Sequence, residues 1–314
     1  MSYRLSVRDP LPDSVRACAR EQLWGAVRQL EGEGDAPATA IHEARKSLKK
    51  TRALLRLVRP ALGKRTYRAE NGALRDAAAQ LSATRDADVL VATVDALAQH
   101  AAGRLPASDF AAVRAALVAE AAAHHAPSEG ESSLAAVAAS VALELRAAHA
   151  RVEQWPLDGA GWETVVAGIS VAYARGRAER ELAEAHPSVV HLHDWRKRVK
   201  DLWYHHRLLK PVWPDVVKAW GEEAHILSEQ LGDDHDLAVL RERLEQGLDA
   251  PLELAPLLAL VEQRRGELQA QARLVAARLY VEKPKAFERR VGGWVAAAVA
   301  EANAAADGAN GASS

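Results

Sequence analysis

The sequence predicts an all-α protein, and three observations carry that prediction. Ala, Leu, Arg, Glu and Gln dominate the composition, and all are good helix formers. Runs of β-branched residues are short, and the period-2 alternation of a half-buried strand is absent. Breakers fall at intervals that leave segments of helical length between them, with apolar residues at 3.6-residue spacing.

The segments follow in order. After Met1 to Pro10 the first stops at Gly32 to Asp35, with Pro37 beyond. Later stops lie at Pro60 to Gly63, Gly103 to Pro106, Pro127 to Gly130 and Pro156 to Gly161. Pro187, Pro211 to Pro214 and Pro251 divide the remainder, and Leu252 to Tyr280 is one of the long segments. About ten helices joined by short turns result. Glu301 to Ser314, rich in Ala, Gly, Ser and Asn, is expected to be a disordered tail.

Composition narrows the class. The 314 residues are 49% hydrophobic and 26% charged, enough for a sizeable core and inconsistent with wholesale disorder. The one cysteine, Cys18, excludes an internal disulfide and a cysteine-based zinc site. The start lacks a signal-peptide core, and no uncharged apolar run approaches the roughly 20 residues that span a bilayer. A soluble, cytoplasmic protein with no membrane partner is expected.

Net charge is −1, but its distribution is uneven. Ile41 to Arg68 holds ten Lys/Arg and one acid, and His193 to Lys210 holds six Lys/Arg, two acids and three histidines. Two strongly basic segments thus sit in an acidic frame, and local clustering governs the surface field.

An internal repeat organises the chain. Ile41 to Lys50 and Leu192 to Asp201 align at an offset of 151, matching His, acid, Arg, Lys and a second Lys. Arg56 then matches Arg207 and Pro60 matches Pro211. Leu81 to Asp86 matches Leu231 to Asp236 at an offset of 150, where Arg68 pairs with Lys218, Arg75 with His225 and Arg85 with His235. The expected units are 1–152 and 153–300, two pseudo-symmetric bundles of antiparallel helices followed by the 301–314 tail.

Helical projection separates two faces on each basic segment. His42, Arg45, Lys46, Lys49, Arg52 and Arg56 share one stripe, and Ala44, Leu48, Leu55, Val58 and Leu62 share the opposite one. His193, Arg196, Lys197, Lys200 and Arg207 repeat the basic stripe, opposite Trp195, Val199, Leu202, Leu209 and Trp213. Tyr204 joins the basic face, to cover it or to donate a hydroxyl. Solvated helix faces ordinarily interleave both signs, whereas like charges at this density destabilise a helix until an anion offsets them. Arginine's planar fork and lysine's point charge suit phosphate oxygens, and their spacing over several turns suits a linear polyanion. His42 and His193 head these faces as short-reach donors whose charge a bound phosphate would raise, favouring binding at mildly acidic pH. Asp86 and Asp236 are expected to orient basic side chains across helices.

Other chemistries find less support. No phosphate-cradling glycine loop, dinucleotide fingerprint, zinc-protease or nucleophile-elbow motif occurs, so no cofactor is expected. Cys18 has no nearby histidine in sequence and is not expected to be a nucleophile. His193-Asp194 and His235-Asp236 look like the doublets of metal-dependent HD phosphohydrolases. Arg85 stands where His235 does in the repeat, however, and arginine does not ligate a cation, so no metal site is expected. Nucleic acid is disfavoured by the lack of a recognition module and of regular stacking positions, with Trp203 beside the basic stripe left open. Clusters His124-His125 and His205-His206 read as surface or packing residues.

The duplicated His-x-x-Arg-Lys-x-x-Lys, followed in each half by Leu81 to Asp86 or Leu231 to Asp236, resembles the CHAD domains, the conserved histidine α-helical domains. The resemblance runs from Tyr3-Arg4-Leu5 to about residue 300. It implies two helical bundles with a basic groove or channel between them, and non-catalytic binding of inorganic polyphosphate at polyphosphate granules. The binding set it implies here is His42, Arg45, Lys46, Lys49, Arg52, Arg56, Arg68, Arg75, Arg85, His193, Arg196, Lys197, Lys200, Arg207, Lys218, His225 and His235. Such domains often accompany a triphosphate-tunnel domain that carries the catalysis, whose E-x-E-x-K signature is missing here. A polyphosphate-metabolising enzyme is therefore an expected partner.

Overall fold

A computed structural model describes residues 3–32, 37–81, 86–104, 106–125, 134–248 and 254–311. Eleven α-helices and no strand lie among them: α1 Leu11–Leu30, α2 Pro37–Leu57, α3 Arg59–Gln80, α4 Asp86–His100, α5 Ala107–His125, α6 Leu134–Arg151, α7 Trp162–Ala185, α8 Val189–Leu209, α9 Pro214–Glu245, α10 Ala255–Leu279 and α11 Pro284–Gly311. The all-α expectation holds.

Local chemistry sets the boundaries. Pro12 and Asp13 open α1, and Pro214 and Asp215 open α9, a proline where its missing N–H costs nothing and an acid at the positive helix end. The Ser188 hydroxyl caps α8, accepting from the His191 N–H at 3.1 Å. Gly63 kinks α3 with φ 71°, a left-handed conformation that suits glycine. At 32 residues α9 is the longest helix among the described residues, longer than α10, which occupies the Leu252 to Tyr280 segment. The tail expected after residue 300 is helical as far as Gly311, since its alanines continue α11.

Neighbouring helices pack in sequence, α1 on α2, α7 on α8, α8 on α9 and α9 on α10. The apolar stripe of α2 is fully inside: Ala44, Leu48, Leu55, Val58 and, beyond its end, Leu62 are buried. On α8, Trp195, Val199, Leu202 and Leu209 are buried too, but Trp213 is 48% exposed. The register fails there because α8 ends at Leu209 and a 3-10 turn, Lys210–Val212, redirects the chain before Pro214.

The two hydrophobic cores do not follow the two sequence halves. The larger one draws on both, from Tyr3 and Leu5 through α1, α2, α7 and α8 to α11. The smaller one joins Val94, Leu97, Phe110, Val113 and Leu117 of α4 and α5 to Leu237, Leu240, Leu244, Leu260 and Val261 of α9 and α10. At the centre Gly168 lets α7 approach α2 closely, because a Cβ there would lie 1.8 Å from the Leu57 carbonyl oxygen. Buried His205 places Nε2 3.0 Å from the Ala53 carbonyl oxygen, tying α8 to α2. The N-terminal segment crosses both, with the Leu5 N–H donating to Leu208 O and the Tyr3 hydroxyl to Lys50 O, each at 2.9 Å. The two basic helices therefore touch directly, and their charged faces border one seam.

Candidate polyanion-binding site

On α2 several basic side chains have protein partners. Lys46 Nζ lies 2.8 Å from Glu43, Arg52 donates to Asn71 Oδ1 at 3.1 Å, and Arg56 donates to Asp201 Oδ1 at 2.9 Å. Arg45 donates to Leu81 O at 3.2 Å, at the end of α3, where backbone carbonyls run out of helical partners. His42 is exposed, Lys49 is half-buried, and Arg75 on α3 pairs with its neighbour Asp76 at 2.9 Å. Burial, reinforced by Arg56, lowers the Arg52 pKa.

The start of α8 forms a tighter cluster with α9. The rings of His193 and His235 lie 4.4 Å apart, and Lys197 pairs with Asp194 at 2.8 Å. Arg196 lies against the α9 backbone at Gly232, where a Cβ would come within 2.7 Å of Nη2. The buried His193 Nδ1 and Arg196 Nε have no hydrogen-bond partner among the described residues. Burial, then His235, Lys197 and Arg196, push the His193 pKa down to about 4. The ligand-free imidazole is thus neutral near pH 7, and an approaching anion would draw a proton onto it. Asp236 Oδ1 lies 3.3 Å from Nδ1 of its neighbour His235, the ring that meets His193 of α8.

Between these clusters Arg207 of α8 packs over the rings of Tyr3 and Trp203, 5.4 and 5.3 Å from their centroids, and Lys50 of α2 approaches the same Tyr3 ring at 5.9 Å. Tyr204 is buried at the edge of Tyr3 with its hydroxyl pKa raised to about 12, so it supports Arg207 from inside. Trp203 stacks on His225 at 4.2 Å with Tyr204 at 4.7 Å, an aromatic surface already occupied and poorly suited to stacking a base.

The structure therefore gathers His193, Arg196, Lys197 and His235 in one cluster, His225 and Arg207 in a second, and Arg52 and Arg56 in a third, with Lys200 half-buried on α8. Arg68 and Lys218 are solvent-exposed on α3 and α9, and no contact among the described residues ties them to the clusters. Arg85 and the side chains of Asp86, His124 and His125 lie outside the described residues. Sequence reasoning missed Lys50 and Asp201, which project beside the basic stripes at matching repeat positions. It also missed Asp234, buried on α9 and bonded to Arg265 and Gln269 of α10. His205 and His206 are buried packing residues, their pKa values pushed down by burial to about 4 and about 3. Cys18 is buried with its thiol pushed up to about 12, chiefly by burial, which fits no nucleophilic role. Among the described residues no three His, Cys, Asp or Glu side chains converge as metal ligands, and no helix is long and apolar enough to cross a membrane.

A family model described as the CHAD domain matches residues 17–245, close to three quarters of the chain. The chain belongs to the CHAD domain family. The solved structure of a CHAD domain from the plant Ricinus communis superposes with a TM-score of 0.53, at 19% identity over 90% of this chain and 95% of that one. At that identity the likeness bears on the fold alone. No match is found among curated proteins. The CHAD family model covers α2, α8 and α9, the helices that carry the three clusters.

Proposed function

We propose that this CHAD domain binds inorganic polyphosphate without transforming it. The observation that carries the reading is the meeting of two basic helices along one seam, with Lys46, Lys50 and Arg207 beside it and the His193 cluster at the start of α8, against α9. A linear polyanion engages several such cations at once and releases their counterions, so affinity falls steeply with salt. The occupied Trp203 surface favours bare phosphate over nucleobases. In the cytoplasm this binding would place the protein on polyphosphate granules, beside a polyphosphate-metabolising enzyme.

The meeting of His193 and His235 would also suit a metal-dependent phosphohydrolase. Against that, Asp194 is turned to Lys197 and Asp236 to His235. The test is calorimetric titration with long-chain polyphosphate and with DNA of matched charge at two salt levels, alongside metal analysis and phosphate release. Tight, salt-sensitive binding that prefers polyphosphate, with no release, is expected, and the double substitution Lys49→Glu, Lys200→Glu should abolish it while helicity persists. Equal binding of DNA, or phosphate release lost on chelation, would overturn the reading.

A further inference from the structure

The repeat offset of 151 puts Arg56 in register with Arg207 and Lys50 in register with Asp201. Packing of α2 on α8 then makes the same kind of contact twice. On one side Arg56 Nη1 meets Asp201 Oδ1 at 2.9 Å, and Arg198 adds a second contact to that carboxylate at 3.3 Å. On the other side Arg207 meets Lys50 across the Tyr3 ring, cation against cation. The first contact is closed by a carboxylate. Among the described residues no carboxylate closes the second, since Glu43, the acid that acts on Lys50, is turned to Lys46. Burial chiefly, then Arg207 and Lys46, lower the Lys50 pKa, with Glu43 opposing them.

We propose that Lys50 and Arg207, with Lys46 beside them, form a single-phosphoryl subsite at the seam, in which a ligand oxyanion takes the part that Asp201 plays in the equivalent contact. The inference rests on the polyphosphate reading only for the identity of its ligand, since the unneutralised contact stands without it. Tyr3 forms the floor of the subsite: its hydroxyl is committed to Lys50 O, and its ring holds both cations in place. Arginine offers the phosphoryl group a planar fork and lysine a point charge, so the pair grips an oxyanion from the two helices at once. A polymer seated here is fixed in register, with its flanking phosphates directed toward the α2 and α8 stripes.

The distinguishing variant is Lys50→Asp, which restores the carboxylate that the equivalent contact already has. Lys285→Asp, at an exposed position on α11, is the charge-matched control. Sodium tripolyphosphate and long-chain polyphosphate are the probes, read by thermal melting and calorimetry. Lys50→Asp should raise the ligand-free melting temperature by about 1 °C or more and weaken tripolyphosphate binding about tenfold relative to the control. Should Lys50→Asp not fold, Lys50→Gln removes the repulsion without adding a charge and should show the same loss of affinity. Affinity equal to the control in either variant would overturn the subsite and leave the polyphosphate reading intact. Tripolyphosphate binding that depends on Lys50, with no binding of the long polymer, would uphold the subsite and overturn the polymer reading.

Discussion

The two halves of this CHAD domain place an arginine at the same repeat position and use it differently. In the first half α3 ends near Leu81, and Arg45 is bound to the Leu81 carbonyl. In the second half α9 continues through the matching Leu231, whose carbonyl lies within the helical ladder, and Arg196 rests against Gly232 with a buried, unpartnered Nε. The arginines of α2 are further committed, Arg52 to Asn71 and Arg56 to Asp201. The end of α3 thus gives Arg45 a backbone acceptor, whereas the unbroken α9 offers Arg196 Nε none. In the first half Arg45, Arg52 and Arg56 all hold the fold, whereas in the second Arg196 keeps a buried nitrogen with no partner among the described residues.

Acid should expose that division most strongly. His193, His205 and His206, all on α8, are held neutral with pKa values near 4, 4 and 3, below the ordinary histidine value of 6.5. The unfolded chain takes up protons first as pH falls, so stability is complete above about 6.5 and is lost progressively toward pH 4, on the order of several kcal/mol. Urea denaturation at pH 7.5, 6 and 4.5 checks this, and a flat profile would contradict the burial of these rings. A smaller effect is expected at the seam. Asp201→Ala leaves Arg56 and Arg198 without their shared carboxylate and should cost about 2 kcal/mol, less than a fully buried pair because both guanidiniums are partly solvated. The Tm of the variant decides it. The smallest effect sharpens the comparison most. Gly232→Ala suits the helix but displaces Arg196, so the fold should be retained while polyphosphate affinity falls roughly threefold. Arg45→Ala should do the opposite, lowering Tm through the lost bond to the Leu81 carbonyl while affecting affinity less. Equal affinity losses in the two variants would erase the distinction between the halves.

Much of this was legible in the residues themselves. The 3.6-residue spacing on α2 and α8 placed Ala44, Leu48, Val199 and Leu202 inside, because a long amphipathic helix has one way to bury its apolar stripe. Trp213 escaped that logic because a proline-directed turn broke the register between Leu209 and Pro214. The alternating hand of the seam was not legible. Lys50 and Asp201 project beside the stripes, and only the packing of α2 on α8 makes one face Arg207 and the other face Arg56. The role of Arg45 was hidden for a similar reason, since it depends on where α3 ends.

The two shared cores tie each half to the other. A polypeptide ending at residue 152 would present Val94, Leu97, Phe110 and Leu117 to water, together with the face of α2 that covers α7 and α8. The cover for both surfaces comes from the second half, α7 and α8 for one and α9 and α10 for the other. Carrying both halves in one chain therefore spares them the entropy of finding one another.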